Sequence, residues 1–208
     1  MVFFSAFAEA ALVPIAITAE VTEVLGDPDL LEGRVNVGDL ITGVYIYDSS
    51  TPDSHPFEHW GVYEHHAPPY GITLTVGGFV FMTDPGNVDF LVEIANNIIG
   101  VVVDYDLYRL ESHNNLPFSN GVLVNEISLE LRDYTATALS SEALPTTAPV
   151  LDDWYYRDIR IYAGFLSNGW QASYTFYGHL TSAVLIPEPA TIILLGLGGL
   201  ALLRRRRV

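Results

Sequence analysis

Ile15-Ala16-Ile17-Thr18-Ala19-Glu20-Val21-Thr22-Glu23-Val24 decides the fold class. Ile15, Ile17, Ala19 and Val21 share one parity, with Thr18, Glu20 and Thr22 on the other. A period of two puts the first set on one face of an extended strand, whereas an amphipathic helix would repeat its apolar residues every three to four positions. The same texture returns at Leu40 to Tyr47, Gly71 to Met82, Ile98 to Leu110, Val122 to Arg132, Arg157 to Phe165 and Trp170 to Leu185. Gly, Pro, Asn and Asp clusters bound each segment, and helix candidates are almost absent. Strands at such spacings without helical interludes predict an all-β, antiparallel β-sandwich of jelly-roll type, built as one domain from about residue 11 to residue 186. No internal repeat is found.

The connections can be read locally. Asn168-Gly169 suits the positive φ angles of a type I′ turn, so residues 157–166 and 170–180 are expected to pair as a hairpin. Asn120-Gly121 has the same chemistry, but the proline-containing stretch before it predicts a longer loop. Ser140 to Pro149 reads as an irregular crossing. Its Leu144-Pro145-Thr146-Thr147 is only superficially like a sortase motif, because no Gly and no adjacent membrane tail follow.

Charge divides the chain. Of nine basic residues, all arginine, four stand at 204–207, and of 25 carboxylates only Glu188 lies beyond residue 186. Residues 1–186 thus carry five arginines against 24 carboxylates, a net of −19. Such a body repels nucleic acid and attracts cations, so nucleic acid is excluded as a partner. With no cysteine, neither a disulfide framework nor a thiolate metal site can form.

The last 22 residues have a different character. Pro187-Glu188-Pro189 is followed by an uncharged run from Ala190 to Leu203 and by Arg204, Arg205, Arg206 and Arg207. Arginine is costly at the bilayer centre, so a basic cluster behind an apolar stretch stops translocation. The run would span roughly 21 Å as a helix, against about 20 apolar residues for a full crossing. It makes a marginal anchor. Gly196, Gly198 and Gly199 offer a smooth face to another helix. This ordered tail resembles the PEP-CTERM sorting signal of bacterial exported proteins. The resemblance implies a short transmembrane helix, export, transient residence in the inner membrane, and processing by an exosortase-type membrane enzyme at Pro187, Glu188 and Pro189. An ordinary single-pass anchor and a buried core helix are the alternatives. At the other end, Val2 to Ala8 is apolar and Ala8-Glu9-Ala10 has a small-x-small pattern, so residues 1–10 read as a signal-peptide remnant or as a first arm or strand.

A second resemblance covers residues 33–80. Gly38-Asp39 through Gly43, Tyr47-Asp48 and Pro52-Asp53-Ser54 are similar to a Gly-Asp-x-x-x-Gly, Tyr-Asp, Pro-Asp-Ser pattern of bodies that precede PEP-CTERM tails. It implies a β-sandwich and brings no activity. Physically, Gly38-Asp39 is a turn, Thr42 to Asp48 a strand with Tyr45 and Tyr47 on one face, and Asp48 to Pro56 a loop.

Candidate chemistry is sparse. His55, His59, His65 and His66, with Glu58 and Glu64, are candidate ligands for a divalent cation, although their spacing matches no zinc motif and Pro56 and Gly61 oppose a helix. An exposed loop is the other reading. Asp84-Pro85-Gly86-Asn87-Val88-Asp89 and Asp27-Pro28-Asp29 supply oxygen ligands without EF-hand spacing and read as turns. Among Trp154, Tyr155, Tyr156, Trp170, Tyr174, Phe176 and Tyr177, alternation favours core packing for most, while the run 154–156 must expose at least one ring. No nucleophile elbow, phosphate loop or dinucleotide fingerprint occurs, so no residue is assigned to catalysis and no cofactor is expected. Three functions remain: a non-catalytic cell-surface or extracellular-matrix protein, a carbohydrate- or metal-binding module of an exopolysaccharide biofilm matrix, and an extracellular hydrolase.

Overall fold

The computed structural model describes residues 12–187 apart from 56, 100–102, 119–120 and 168–169. The expected signal-peptide remnant, the expected turn at Asn168-Gly169, and the tail from Glu188 onward, where a short transmembrane helix and the arginine stop-transfer cluster are expected, lie outside the described residues.

Ten strands form one antiparallel sheet. In chain order they are β1 (Leu12–Gly26), β2 (Leu40–Asp48), β3 (Trp60–His65), β4 (Gly71–Val76), β5 (Phe79–Met82), β6 (Phe90–Ile98), β7 (Tyr105–Ser112), β8 (Leu123–Asp133), β9 (Tyr156–Ser167) and β10 (Trp170–Leu185). Their order across the sheet is β3-β6-β7-β8-β9-β10-β1-β2-β4-β5. The all-β antiparallel expectation holds, in the form of a single curled sheet. Its two halves face each other as in a sandwich: Tyr45 on β2 meets Tyr108 on β7, and Phe81 on β5 meets Phe176 on β10. The links from β2 to β3, β3 to β4 and β5 to β6 therefore pass between the halves, while β6 to β10 follow as a meander.

β1 follows the alternation of its sequence. Ile15, Ile17, Ala19 and Val21 are buried, and the residues between them face outward. Their neighbours Ile41, Tyr45, Leu74, Ile159, Ile161 and Phe176 complete a continuous apolar interior. The expected hairpin of 157–166 with 170–180 is present, with Trp170 opposite Ser167 and Phe176 opposite Ile161.

Two predicted segments need correction. Gly71 to Met82 is two strands, because Gly77 and Gly78 both take positive φ and turn the chain between Val76 and Phe79. Within Ile98 to Leu110, Ile98 is the last residue of β6 and β7 begins only at Tyr105. β6 has no alternating signature in the sequence: its outward positions include the buried Glu93 and Ala95, so polarity does not alternate with burial.

Candidate functional site

The histidine cluster disperses on folding. His65 ends β3 with its side chain in the core, where Nε2 accepts the Asp48 backbone N–H at 3.1 Å. Nδ1 stands 3.2 Å from the Tyr63 carbonyl oxygen and donates to it, which fixes the neutral tautomer. Burial, outweighing its hydrogen bonds to the backbone, holds the imidazole below its ordinary pKa. His65 thus clasps β3 to β2, with both nitrogens engaged. His66 lies beside Glu64 at 3.5 Å, and His59 has φ +70 and lies 3.8 Å from Glu58. His55 packs its ring 4.7 Å from Phe57 and 5.2 Å from Trp60. Among the described residues no three His, Asp or Glu side chains converge as a metal site.

The Gly-Asp, Tyr-Asp and Pro-Asp-Ser positions are structural devices. Gly38 has φ +92, and Asp39 accepts the Asn36 N–H at 2.7 Å. A Cβ at Gly43 would strike the Thr73 carbonyl oxygen on β4. Asp48 accepts from the Ser50 N–H and hydroxyl at 2.8 and 2.6 Å. Asp53 accepts the N–H groups of His55 and Val62, both at 2.8 Å, and Ser54 donates from its backbone N–H to the Val62 carbonyl at 2.8 Å. The Pro-Asp-Ser segment therefore occupies the free edge of β3, an edge that would otherwise be open to pairing with another chain. Asp84 and Asp27 each accept an N–H two residues on, as turn formers do.

The candidate aromatic residues divide, with Tyr156 and Tyr177 half-buried on the outer face and not in the core. Trp154, Tyr174 and Phe176 are buried, and Tyr155 is 79% exposed; the side chain of Trp170 lies outside the described residues. Tyr45 and Tyr47 share a face and stack at 6.2 Å. Tyr108 donates to the Tyr45 hydroxyl at 3.1 Å, and Tyr47 donates to the Pro145 carbonyl at 2.8 Å. Burial raises all three phenols, Tyr47 to about 12. Tyr63 donates to Glu142 O at 2.9 Å, so two core phenols fasten the crossing at 140–149. Asp133 holds residues 135–138, just ahead of that crossing; burial opposes its ionisation, but the N–H groups of Thr137, Thr135 and Ala138 more than offset this and its pKa is lowered.

Two surfaces were not legible beforehand. Phe57, Trp60 and His55, with Ile98 and Ile99, line a shallow concavity of about 420 Å³, edged by Glu58, His59 and Asn97. Phe57 is 66% exposed and Trp60 36%. The other surface is the outer face of β6 to β10. Register aligns Glu93, Arg109, Glu130, Asp158 and His179 in one row across five strands. Arg109 Nε donates to the buried Glu93 at 2.6 Å, and Arg160 pairs with Glu126. A cleft of about 290 Å³ opens there between Arg109, Arg160, Glu111, Glu130, Tyr156 and Tyr177. Burial, then a hydrogen bond to Asp158, pushes the Tyr156 phenol up to about 12.

The last strand leads to the sorting tail. Leu185 pairs with Ile15, and Ile186 donates the final sheet bond to the Pro14 carbonyl at 2.8 Å. Pro187, with no N–H to give, ends the ladder at the point where the Pro-Glu-Pro run starts. The chain is thus an all-β body joined without a spacer to a C-terminal address. That address matches the family model of the PEP-CTERM protein-sorting motif over residues 185–207. The motif supports an exported protein, transiently anchored in a membrane and sorted through exosortase. Searches of curated proteins and of solved structures find no match. Among the described residues no helix is long and apolar enough to cross a membrane.

Proposed function

We propose that this chain is a non-catalytic surface protein: the acidic body is exported, exosortase removes the tail near Pro187-Glu188-Pro189, and the body is left at the cell surface or among exopolysaccharides. The observation that carries this reading is the tail match beginning at Leu185, the last residue of the last strand. The absence of a spacer suits an address appended to a finished domain. Supporting the non-catalytic part, the cleft carboxylates Glu111 and Glu126 face the guanidinium groups of Arg109 and Arg160. The test is deletion of residues 187–208, which is expected to release the body into periplasm or medium without membrane passage. Retention of the deleted form in the membrane would refute sorting by the tail. Intact mass of surface-recovered protein, short of 22.9 kDa by the tail segment, tests processing.

A second reading rests on the exposed pair Phe57 and Trp60. Aromatic faces stack on the apolar faces of sugars, and a body of net charge −19 favours neutral over anionic glycans. Affinity electrophoresis through dextran is then expected to retard the protein. Trp60→Ala should weaken this at least about tenfold, near 1.4 kcal/mol. Equal mobility with and without dextran would remove this reading.

A further inference from the structure

The outer face of the sheet is divided. Across β6 to β9 it is a field of paired charges, but the end of β10, the first half of β1, β2 short of Asp48, and all of β4 and β5 carry none. Residues 10–19, 40–47, 67–83 and 180–187 contain no Asp, Glu, Arg or His, in a body with 24 carboxylates. Folding brings these four stretches together. Register sets Val184, Ala16, Val44, Thr73 and Met82 in one outward row, with Ser182, Thr18, Thr42, Thr75 and Val80 in the next. Val184 is 58% and Val80 50% exposed. A groove of about 130 Å³ between Val44, Ile46, Tyr70 and Met82 indents the face. Five strands about 4.8 Å apart and about 20 Å long give an uncharged face on the order of 400 Å², in which valine, alanine and methionine are interspersed with threonine and serine. Charge returns only at the rim, with Asp48 opposite Leu12 and Glu20 opposite Leu40.

The course of the chain bears on what can lie against this face. It borders the exit of the tail: Val184 and Ile186 belong to the patch, and the apolar run begins at Ala190. From Ile186 to Ala190 an extended chain reaches about 14 Å at most. While the run sits in the bilayer, the exit corner of the body is therefore held within that distance of the headgroups. The charged outer face of β6 to β9 gains nothing from approaching lipid, whereas valine, methionine and threonine fit the headgroup boundary without stripping water from an ion. Resting on the sorting reading of the tail, we propose that the uncharged outer face of β10, β1, β2, β4 and β5 is a membrane-contact surface. It seats the body on the lipid and presents the Pro-Glu-Pro segment at a fixed depth to the membrane enzyme.

The lack of cysteine allows single labels in the full-length chain, reconstituted in phosphatidylcholine vesicles with lipid-borne quenchers. An environment-sensitive fluorophore is placed at Thr42→Cys, Thr73→Cys or Val184→Cys on the face, at Ser141→Cys or Tyr155→Cys away from it, and at Leu197→Cys in the apolar run. The expected result is quenching at the three face positions about threefold or more above the two distant ones. Adding Thr42→Glu with Thr73→Glu should reduce quenching at Val184→Cys to the distant level, with the circular dichroism of the body unchanged. Face positions that match the distant ones while Leu197→Cys is quenched would overturn the membrane contact and leave the sorting reading standing. An unquenched Leu197→Cys would overturn the sorting reading itself. Energy transfer between labelled copies in place of lipid quenching would assign the face to a second copy and equally overturn the proposal.

Discussion

Arg109→Met is expected to be among the most damaging single changes on the outer face, although Arg109 itself is a third exposed. Glu93 beneath it is 2% exposed, and Arg109 reaches it through both Nε and Nη2. Removing the guanidinium leaves a buried carboxylate whose nearest cation is gone, and Glu111 and Glu130, the acids beside Arg109, only add repulsion. Breaking a buried pair from one side costs about 3–5 kcal/mol. With a urea m-value of about 2 kcal/mol/M, the midpoint should fall by roughly 2 M. Replacing both partners, Glu93→Leu with Arg109→Met, removes the orphaned charge together with its cause and should restore the parent midpoint to within about 1 kcal/mol. Equilibrium urea unfolding of the four proteins of this cycle, followed by tryptophan fluorescence, provides the measurement. A single-variant loss under about 1 kcal/mol, or a double variant no better than the single, would refute the assignment of Glu93 as a desolvated charge held by Arg109.

His65 makes stability depend on pH. Its folded imidazole resists protonation while the unfolded one accepts a proton from about pH 6.5 downward. The unfolded state therefore binds more protons, and stability falls as pH drops below about 6.5 until the folded form is protonated too. His65→Gln, which keeps an acceptor for the Asp48 N–H, should flatten the difference in urea midpoint between about pH 7.5 and pH 5.5; an unchanged difference would exclude His65 as its source. Asp53→Ala orphans two N–H groups and uncovers the edge of β3. It should cost about 1–2 kcal/mol and produce concentration-dependent association in size-exclusion chromatography with light scattering. Parent-like stability with a monodisperse profile would contradict the edge-covering role.

What was readable beforehand follows from where each side chain spends its polarity. β1, β8 and β10 face core on one side and water on the other, so their composition alternates and their positions emerged directly. β6 hides Glu93 under an arginine sixteen residues away, and β3 turns His65 inward to a backbone N–H on β2. Neither partner is visible locally. The histidines attracted attention by proximity in sequence, yet β3 runs His65 into the core and leaves His55 and His59 at the other end of the strand. Trp60 was not singled out because a lone aromatic beside a loop has no period. The uncharged face was likewise hidden: four charge-free stretches far apart in the chain mean little until strand order makes them neighbours. The sorting tail was the exception, since its three parts are contiguous and their order carries the signal.

The pairing of β1 with β10 bears on how the body is made. A chain threaded outward through a membrane from its N-terminus delivers β1 first and β10 last, yet these two lie side by side near the middle of the sheet. Until β10 emerges, β1 has only β2 beside it and β9 only β8, and the interior stays open. Closure of the long-range pair is the slow kind of folding step. Its timing coincides with arrival of the tail, because β10 ends where the sorting motif starts. In a chain passed across a membrane from its N-terminus, the sheet therefore cannot close before β10, and with it the start of the matched motif, has followed.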